Sequence, residues 1–249
     1  MITQLQDAKT NHNLLVSSNE RLRIAEIFGS VQGEGIWVGV PSVFVRVSGC
    51  NLRCAWCDTP YASWNPEGPT LTVTEVLRRV EEYRINHVVL TGGEPMLFDP
   101  IEDLARKLKD RNHTITIETA GTIVRDLPCD LMSISPKLAN STPNAESGWR
   151  ERHDATRLNL PALQELIDKY PYQLKFVVNP ETGDDVSEIE SLLGNLMDVE
   201  GSRVLLMPEG VDSETLHRRS RMLVPTIMAH NWRLTQRLHI DLFGNTKGT

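Results

Sequence analysis

Three cysteines crowd into eight residues of this chain, Cys50, Cys54 and Cys57, in the pattern C-x3-C-x2-C. Thiolates are soft ligands, and a soft donor set selects iron–sulfur clusters or zinc over hard cations. A triplet with this spacing can hold three corners of a cubane cluster, leaving the fourth iron open to a small molecule. The competing reading is a structural zinc site. Zinc asks for four closed ligands, commonly from two C-x2-C knuckles. The chain has one further cysteine, Cys129, with no second knuckle around it. Whatever fold forms must present residues 50–57 as a loop whose thiols serve one group.

A chain of 249 residues can bury a sizeable core, as one large domain or two small ones. Its net charge of −7, from 26 basic and 33 acidic residues, argues against direct nucleic-acid binding. It leaves room for a small anionic substrate held by a few placed arginines. Four cysteines, three of them clustered, make no disulfide framework and suit a reducing, cytoplasmic compartment. No apolar run approaches the ~20 residues that span a bilayer, so no membrane association is expected. The first residues lack the basic and apolar regions of a signal peptide. Residues 1–21 read as a mobile extension, and 22–249 as a single domain.

Six β-rich runs are legible, over 42–47, 87–91, 114–118, 131–135, 173–178 and 203–207. Helical periodicity separates most of them. Thr72 and Glu75 have the spacing of a capping box ahead of Val76, Leu77, Val80 and Tyr83. Ile101, Leu104, Ala105 and Leu108 line one helical face, and Asn159 stands where a cap precedes Leu163, Leu166 and Ile167. No helix is evident between 118 and 131. Residues 139–153 are polar and turn-rich, and read as a long loop near the site, a candidate lid. Residues 237–244 are strand-like in composition. The class is α/β with a parallel sheet, in which ligands bind at the carboxyl ends of strands. The cysteine loop, 91–94, Glu118, 135–137 and 207–209 all fall there.

With Trp56 as the aromatic, C-x3-C-x-aromatic-C resembles the cysteine motif of the radical S-adenosylmethionine enzymes. Thr91-Gly92-Gly93-Glu94-Pro95, about 35 residues downstream, resembles their GGE segment. The resemblance implies an incomplete six-strand (β/α) barrel with fewer outer helices than strands. It also implies a 4Fe-4S cluster on Cys50, Cys54 and Cys57, with S-adenosylmethionine on the open iron. Reductive cleavage then yields a 5′-deoxyadenosyl radical, with a one-electron donor such as flavodoxin or ferredoxin as partner. The cofactor contacts carried over are Trp56, Cys57, Asp58, Gly93, Glu94, Glu118, Ser135, Pro136, Lys137, Met207, Pro208 and Glu209. The bland alternatives are a strand-ending turn at the glycines and a solvated Lys137.

Further motifs narrow the resemblance: Gln32-Gly33-Glu34-Gly35, Arg46 to Cys50, Cys57-Asp58-Thr59, Glu118-Thr119-Ala120-Gly121 and Ser135-Pro136-Lys137. Together, over residues 23–243, they are similar to the 7-carboxy-7-deazaguanine synthases. Ala120 departs from the pattern, which has Asn there. The resemblance implies conversion of 6-carboxy-5,6,7,8-tetrahydropterin to 7-carboxy-7-deazaguanine and ammonia in queuosine biosynthesis. It implies Mg2+ on Thr59, a homodimer, and substrate contacts at Val31, Gln32, Gly33, Glu34, Arg46, Thr91 and His239. The residue types suit a pterin. Gln32 donates and accepts, Glu34 accepts from ring N–H groups, and Arg46 can grip a carboxylate at two points. His239 reads equally as a packing histidine, and Thr59 as a turn cap. The rival enzyme is an activase of a glycyl-radical protein, which shares the cysteine spacing. The rival non-enzyme is a zinc-stabilised binding module.

Overall fold

The computed structural model describes residues 20–183 and 185–249. The extension expected over 1–21 therefore lies outside the described residues, except for Glu20 and Arg21. Among the described residues nine strands form one sheet in the order β3-β1-β2-β4-β5-β6-β7-β8-β9. The six strands read from the sequence are its parallel body: β2 (Pro41–Val47), β4 (His87–Gly92), β5 (Thr114–Thr119), β6 (Leu131–Ile134), β7 (Tyr172–Val178) and β8 (Val204–Pro208). Three more extend it. β1 (Arg21–Val31) and β3 (Thr70–Thr72) add antiparallel pairs at one edge, and β9 (Arg233–Leu234) adds a short parallel pair at the other. Among the described residues the first and last strands do not pair, so the sheet curls as an incomplete barrel rather than closing.

Among the described residues seven helices accompany these strands: α1 (Val73–Glu81), α2 (Pro100–Asp110), α3 (Arg150–Thr156), α4 (Leu160–Lys169), α5 (Asp185–Leu193), α6 (Ser213–His230) and α7 (Leu238–Phe243). Between β5 and β6 there is none. The capping box forms as expected, with Glu75 N donating to Thr72 Oγ1 and Thr72 N donating to the Glu75 carboxylate. Asn159 caps α4 by accepting from Ala162 N. β7 is buried at all seven positions, as a strand covered on both faces must be. Val88, Leu90, Ile115, Ile117 and Phe176 are fully enclosed in the core.

Two expectations are overturned. Residues 238–243 are helix α7, not a strand. The alternation of Leu238, Ile240 and Leu242 mimics a strand, but only Ile240 is buried while Leu242 is exposed. The stretch 139–153 is not a free loop. It contains two 3-10 turns, Ala139–Ser141 and Ala145–Ser147, and the start of α3.

Candidate active site

The parallel strands deliver their carboxyl ends to one cavity of about 510 Å³, lined by Cys50, Cys54 and Cys57 together with residues from every one of those strand ends. β2 runs straight into the cysteine loop, and that loop is held from outside by the 139–156 segment. Ala55 N donates to Ser141 O at 2.8 Å, and Trp56 Nε1 donates to Asn140 Oδ1 at 3.1 Å. Arg53 N donates to His153 Nδ1 at 3.1 Å, so Nδ1 carries no proton. His153 Nε2 then donates to Ser141 Oγ at 2.9 Å, and Ser141 Oγ donates to Leu138 O at 2.6 Å. Burial keeps this histidine neutral by lowering its pKa. The turn-rich stretch is thus a bracket for the loop.

All four cysteines are free thiols. Burial, reinforced by Glu94, pushes Cys50 up to about 12, and burial likewise pushes Cys54 up to about 12 against the pull of Lys137. Among the described residues no three His, Cys, Asp or Glu side chains converge as one metal ion requires. A cubane takes each thiolate on a separate iron and needs no such convergence. Three soft thiols on one cavity wall therefore fit a cluster better than zinc. Cys129 lies outside that wall and packs against the core.

Gly92 and Gly93 have a reason to be glycine that involves no ligand. A Cβ on Gly92 would stand 2.2 Å from Val47 O, and one on Gly93 would stand 2.1 Å from Gly49 O. β4 therefore lies against the backbone that leads into Cys50, and Gly93 N and Glu94 N donate to Val47 O and Gly49 O. Glu94 is fully buried and does not line the cavity. Its carboxylate accepts from Met96 N (3.0 Å), Thr119 Oγ1 (2.9 Å) and Ala120 N (2.7 Å). It ties β4 to the end of β5. The bond at 120 comes from a backbone amide, so Ala supplies it as well as Asn would. Pro136 also stays out of the cavity wall.

The remaining expected residues line the cavity: Val31, Gln32, Gly33, Glu34, Arg46, Trp56, Asp58, Thr59, Thr91, Gly93, Glu118, Ser135, Lys137, Met207, Pro208, Glu209 and His239. They fall into two groups. Lys137 Nζ donates to Ser135 O and Oγ, both at 2.7 Å, and lies 5.8 Å from the Trp56 ring, next to the thiols. Glu118, expected on the cofactor side, belongs instead with Gln32 and Glu34. It accepts from Ser133 Oγ at 2.9 Å and from Lys175 Nζ at 2.9 Å, and Gln32 Nε2 lies 3.5 Å from it. His239 packs on Gly33, where an added Cβ would meet its Nδ1 at 2.0 Å. Arg46 Nε donates to Glu26 Oε1 at 2.6 Å, which also accepts from Tyr61 at 2.6 Å.

Two cations of this site were not foreseen. Lys175, on β7, is 3% exposed and bridges Glu34 (2.6 Å) and Glu118 (2.9 Å). Arg237, 7% exposed, reaches Glu34, Asp58 and Gly210 O. Burial alone would raise the Glu34 carboxyl, but Lys175 and Arg237 together outweigh it and hold Glu34 ionised far below the usual range. Burial would lower Lys175, and Glu118 and Glu34 outweigh it in the other direction. A lysine inside the apolar run of 173–178 is itself a signal, because an enclosed charge needs a partner. Arg237 carries no comparable signal. Residues 245–249 also reach the cavity, which the sequence did not suggest.

An open parallel barrel with a three-thiol loop at its carboxyl end defines the radical S-adenosylmethionine class, and the profile of the Radical SAM superfamily matches residues 44–159. A curated relative from Halobacterium salinarum, a 7-carboxy-7-deazaguanine synthase, is 45% identical over 92% of this chain and 93% of its own. One of the same name from Rhodopirellula baltica is 42% identical over 94% and 91%. The crystal structure of QueE from Escherichia coli superposes with a TM-score of 0.66 at 26% identity, covering 88% of this chain and 95% of that one. The chain belongs to the 7-carboxy-7-deazaguanine synthase family. These relatives give no support to a glycyl-radical activase. No helix among the described residues is long and apolar enough to cross a membrane.

Proposed function

We propose that the protein converts 6-carboxy-5,6,7,8-tetrahydropterin to 7-carboxy-7-deazaguanine and ammonia, in the cytoplasm, on the route to queuosine. The observation that carries this reading is the division of one cavity into a thiol end and a carboxylate–amide end. Cys50, Cys54 and Cys57 would hold the cluster, with Lys137, Ser135, Trp56 and the 207–209 backbone around S-adenosylmethionine. When bound, these two groups supply hydrogen-atom abstraction by one-electron chemistry. A donor such as flavodoxin or ferredoxin would deliver the electron, and a homodimer is the assembly we expect.

The protein's own contribution is placement. Glu34 and Glu118, both paired with Lys175, are acceptors for the N–H groups along one edge of the pterin. Gln32, between them, can donate to a ring carbonyl. Arg46, oriented by Glu26, would take the substrate carboxylate, and Thr91 and Val31 would close the ring's flanks with His239. Thr59, beside Cys57, offers one hydroxyl to Mg2+, an ion that keeps few protein ligands and completes its shell with water and substrate oxygens. Holding both reactants in near contact is a large part of what such a site can contribute. The test is anaerobic incubation of the reduced, cluster-loaded protein with S-adenosylmethionine and the tetrahydropterin, the product being identified by mass. Formation of 7-carboxy-7-deazaguanine with release of ammonia is expected. Cofactor cleavage without that product would sink the reading.

A further inference from the structure

Arg237 touches three separate parts of the cavity wall. Its Nε donates to Glu34 Oε1 at 3.1 Å, on the loop that follows β1. Its Nη1 donates to Gly210 O at 2.7 Å, on the loop that follows β8. Its Nη2 donates to Asp58 Oδ2, one residue past Cys57. All three arms of one guanidinium are thus used, each on a different segment. Arg237 itself sits at the start of α7, whose position is fixed by Leu238 N donating to Gly33 O at 2.9 Å. Burial would lower its affinity for a proton, yet the two carboxylates more than compensate.

We propose that Arg237 is a positioning residue that sets the distance between the pterin-binding and cofactor-binding halves of the site, by joining Glu34 to Asp58. This rests on the functional reading above. The geometry is specific to arginine. Lysine carries the same charge, but its three N–H donors radiate from a single nitrogen, so it cannot reproduce the separate, coplanar nitrogens that meet Glu34, Asp58 and Gly210 O here. Glu34 is held from its other oxygen by Lys175 at 2.6 Å, so its carboxylate is fixed at both ends. If Asp58 lets go, Arg237 is free to close further onto Glu34 and turn the acceptor away from the substrate. A change beside the cysteine loop would then be felt in the pterin pocket, which Asp58 itself need not touch.

The test is equilibrium binding of 6-carboxytetrahydropterin to the cluster-loaded, S-adenosylmethionine-bound protein, measured anaerobically for the wild type, Arg237→Lys, Asp58→Asn, Glu34→Gln and the double variants. Binding of S-adenosylmethionine alone and thermal melting are followed alongside. Arg237→Lys should weaken pterin binding by roughly 30-fold, the scale expected when a buried charge pair loses its geometry. Asp58→Asn should weaken it by about 10-fold while the melting temperature stays near that of the wild type. Asp58→Asn should add nothing further in the Arg237→Lys background, because the path it acts through is already broken. Wild-type pterin affinity in Arg237→Lys, or in Asp58→Asn, would overturn the proposal, as would independent, additive losses. The wild type serves as the control for the functional reading. If it fails to bind the pterin at all, that reading falls, whatever the variants do.

Discussion

The same strands of this barrel end in two very different environments. At the amino ends, Ser42 on β2, His87 on β4 and Thr116 on β5 form a neutral chain. Ser42 Oγ lies 2.7 Å from His87 Nδ1, and His87 Nε2 lies 2.9 Å from Thr116 Oγ1. His87 is 4% exposed, with the Trp37 ring edge-on at 4.9 Å. Burial lowers its pKa to about 4, so it stays uncharged. At the carboxyl ends lie thiols and a charged chain running from Asp58 through Arg237, Glu34 and Lys175 to Glu118. Both ends are enclosed. One satisfies its polar groups without charge and needs no ligand. The other keeps fixed charges in the wall of a cavity, where they can meet the polar groups of a substrate. A parallel barrel can therefore hold a stable floor and a reactive rim on a single sheet, because consecutive residues of each strand serve different ends.

The largest contrast should come from the cysteines. Cys50→Ala, Cys54→Ala and Cys57→Ala should each lose the cluster and all turnover, whereas Cys129→Ala, which lies away from the cavity, should retain both. Iron and sulfide content after anaerobic reconstitution decides this. Full iron content in any of the first three would break the assignment of the rim.

Next in size is the charge that holds the rim together. Lys175→Met removes the cation between Glu34 and Glu118 and leaves two carboxylates facing each other. A loss of about 3–5 kcal/mol in urea unfolding is expected, the usual result of removing one partner from a buried network. Adding Glu118→Gln should recover part of it. A loss below about 1 kcal/mol would mean that the rim does not depend on its ion pairs.

The smallest effect belongs to the floor and appears only as a function of pH. His87 has a folded pKa of about 4 against an ordinary 6.5. Below pH 6.5 the unfolded chain takes up a proton that the folded chain refuses, so stability falls as pH drops and levels off near the folded pKa. This residue's share is on the order of 3 kcal/mol between pH 7 and pH 4. His87→Gln keeps a donor and an acceptor but cannot titrate. It should be less stable than the wild type at pH 7, and the gap should narrow toward pH 4. A gap that is independent of pH would show that the floor is held by something other than a neutral histidine.

Much of this was legible in the sequence, for local reasons. A strand buried on both faces is mostly apolar, so β4 and β8 announce themselves, and β7 does so despite the buried Gln173 and Lys175. The capping box at Thr72 is set by spacing alone, and the cysteine triplet fixes its ligand chemistry by residue type. β1 was missed as a strand because its burial is uneven, and α7 was misread because six residues are too few for helical periodicity to separate from alternation.

What only the tertiary structure decided is which polar residues meet. Glu94 sits in a motif read for its ligand chemistry, and the structure also gives its carboxylate the Met96 amide two residues on and two donors, Thr119 Oγ1 and Ala120 N, from the end of β5. Glu118 turned toward Glu34 because Lys175 stands between them, 57 residues away from Glu118 along the chain. Arg237 meets Asp58 across 179 residues of sequence. A linear chain records charge and spacing, which determine strands, caps and donor type. Ion pairs between distant segments depend on how the sheet curls and where α7 docks, and no local pattern contains that.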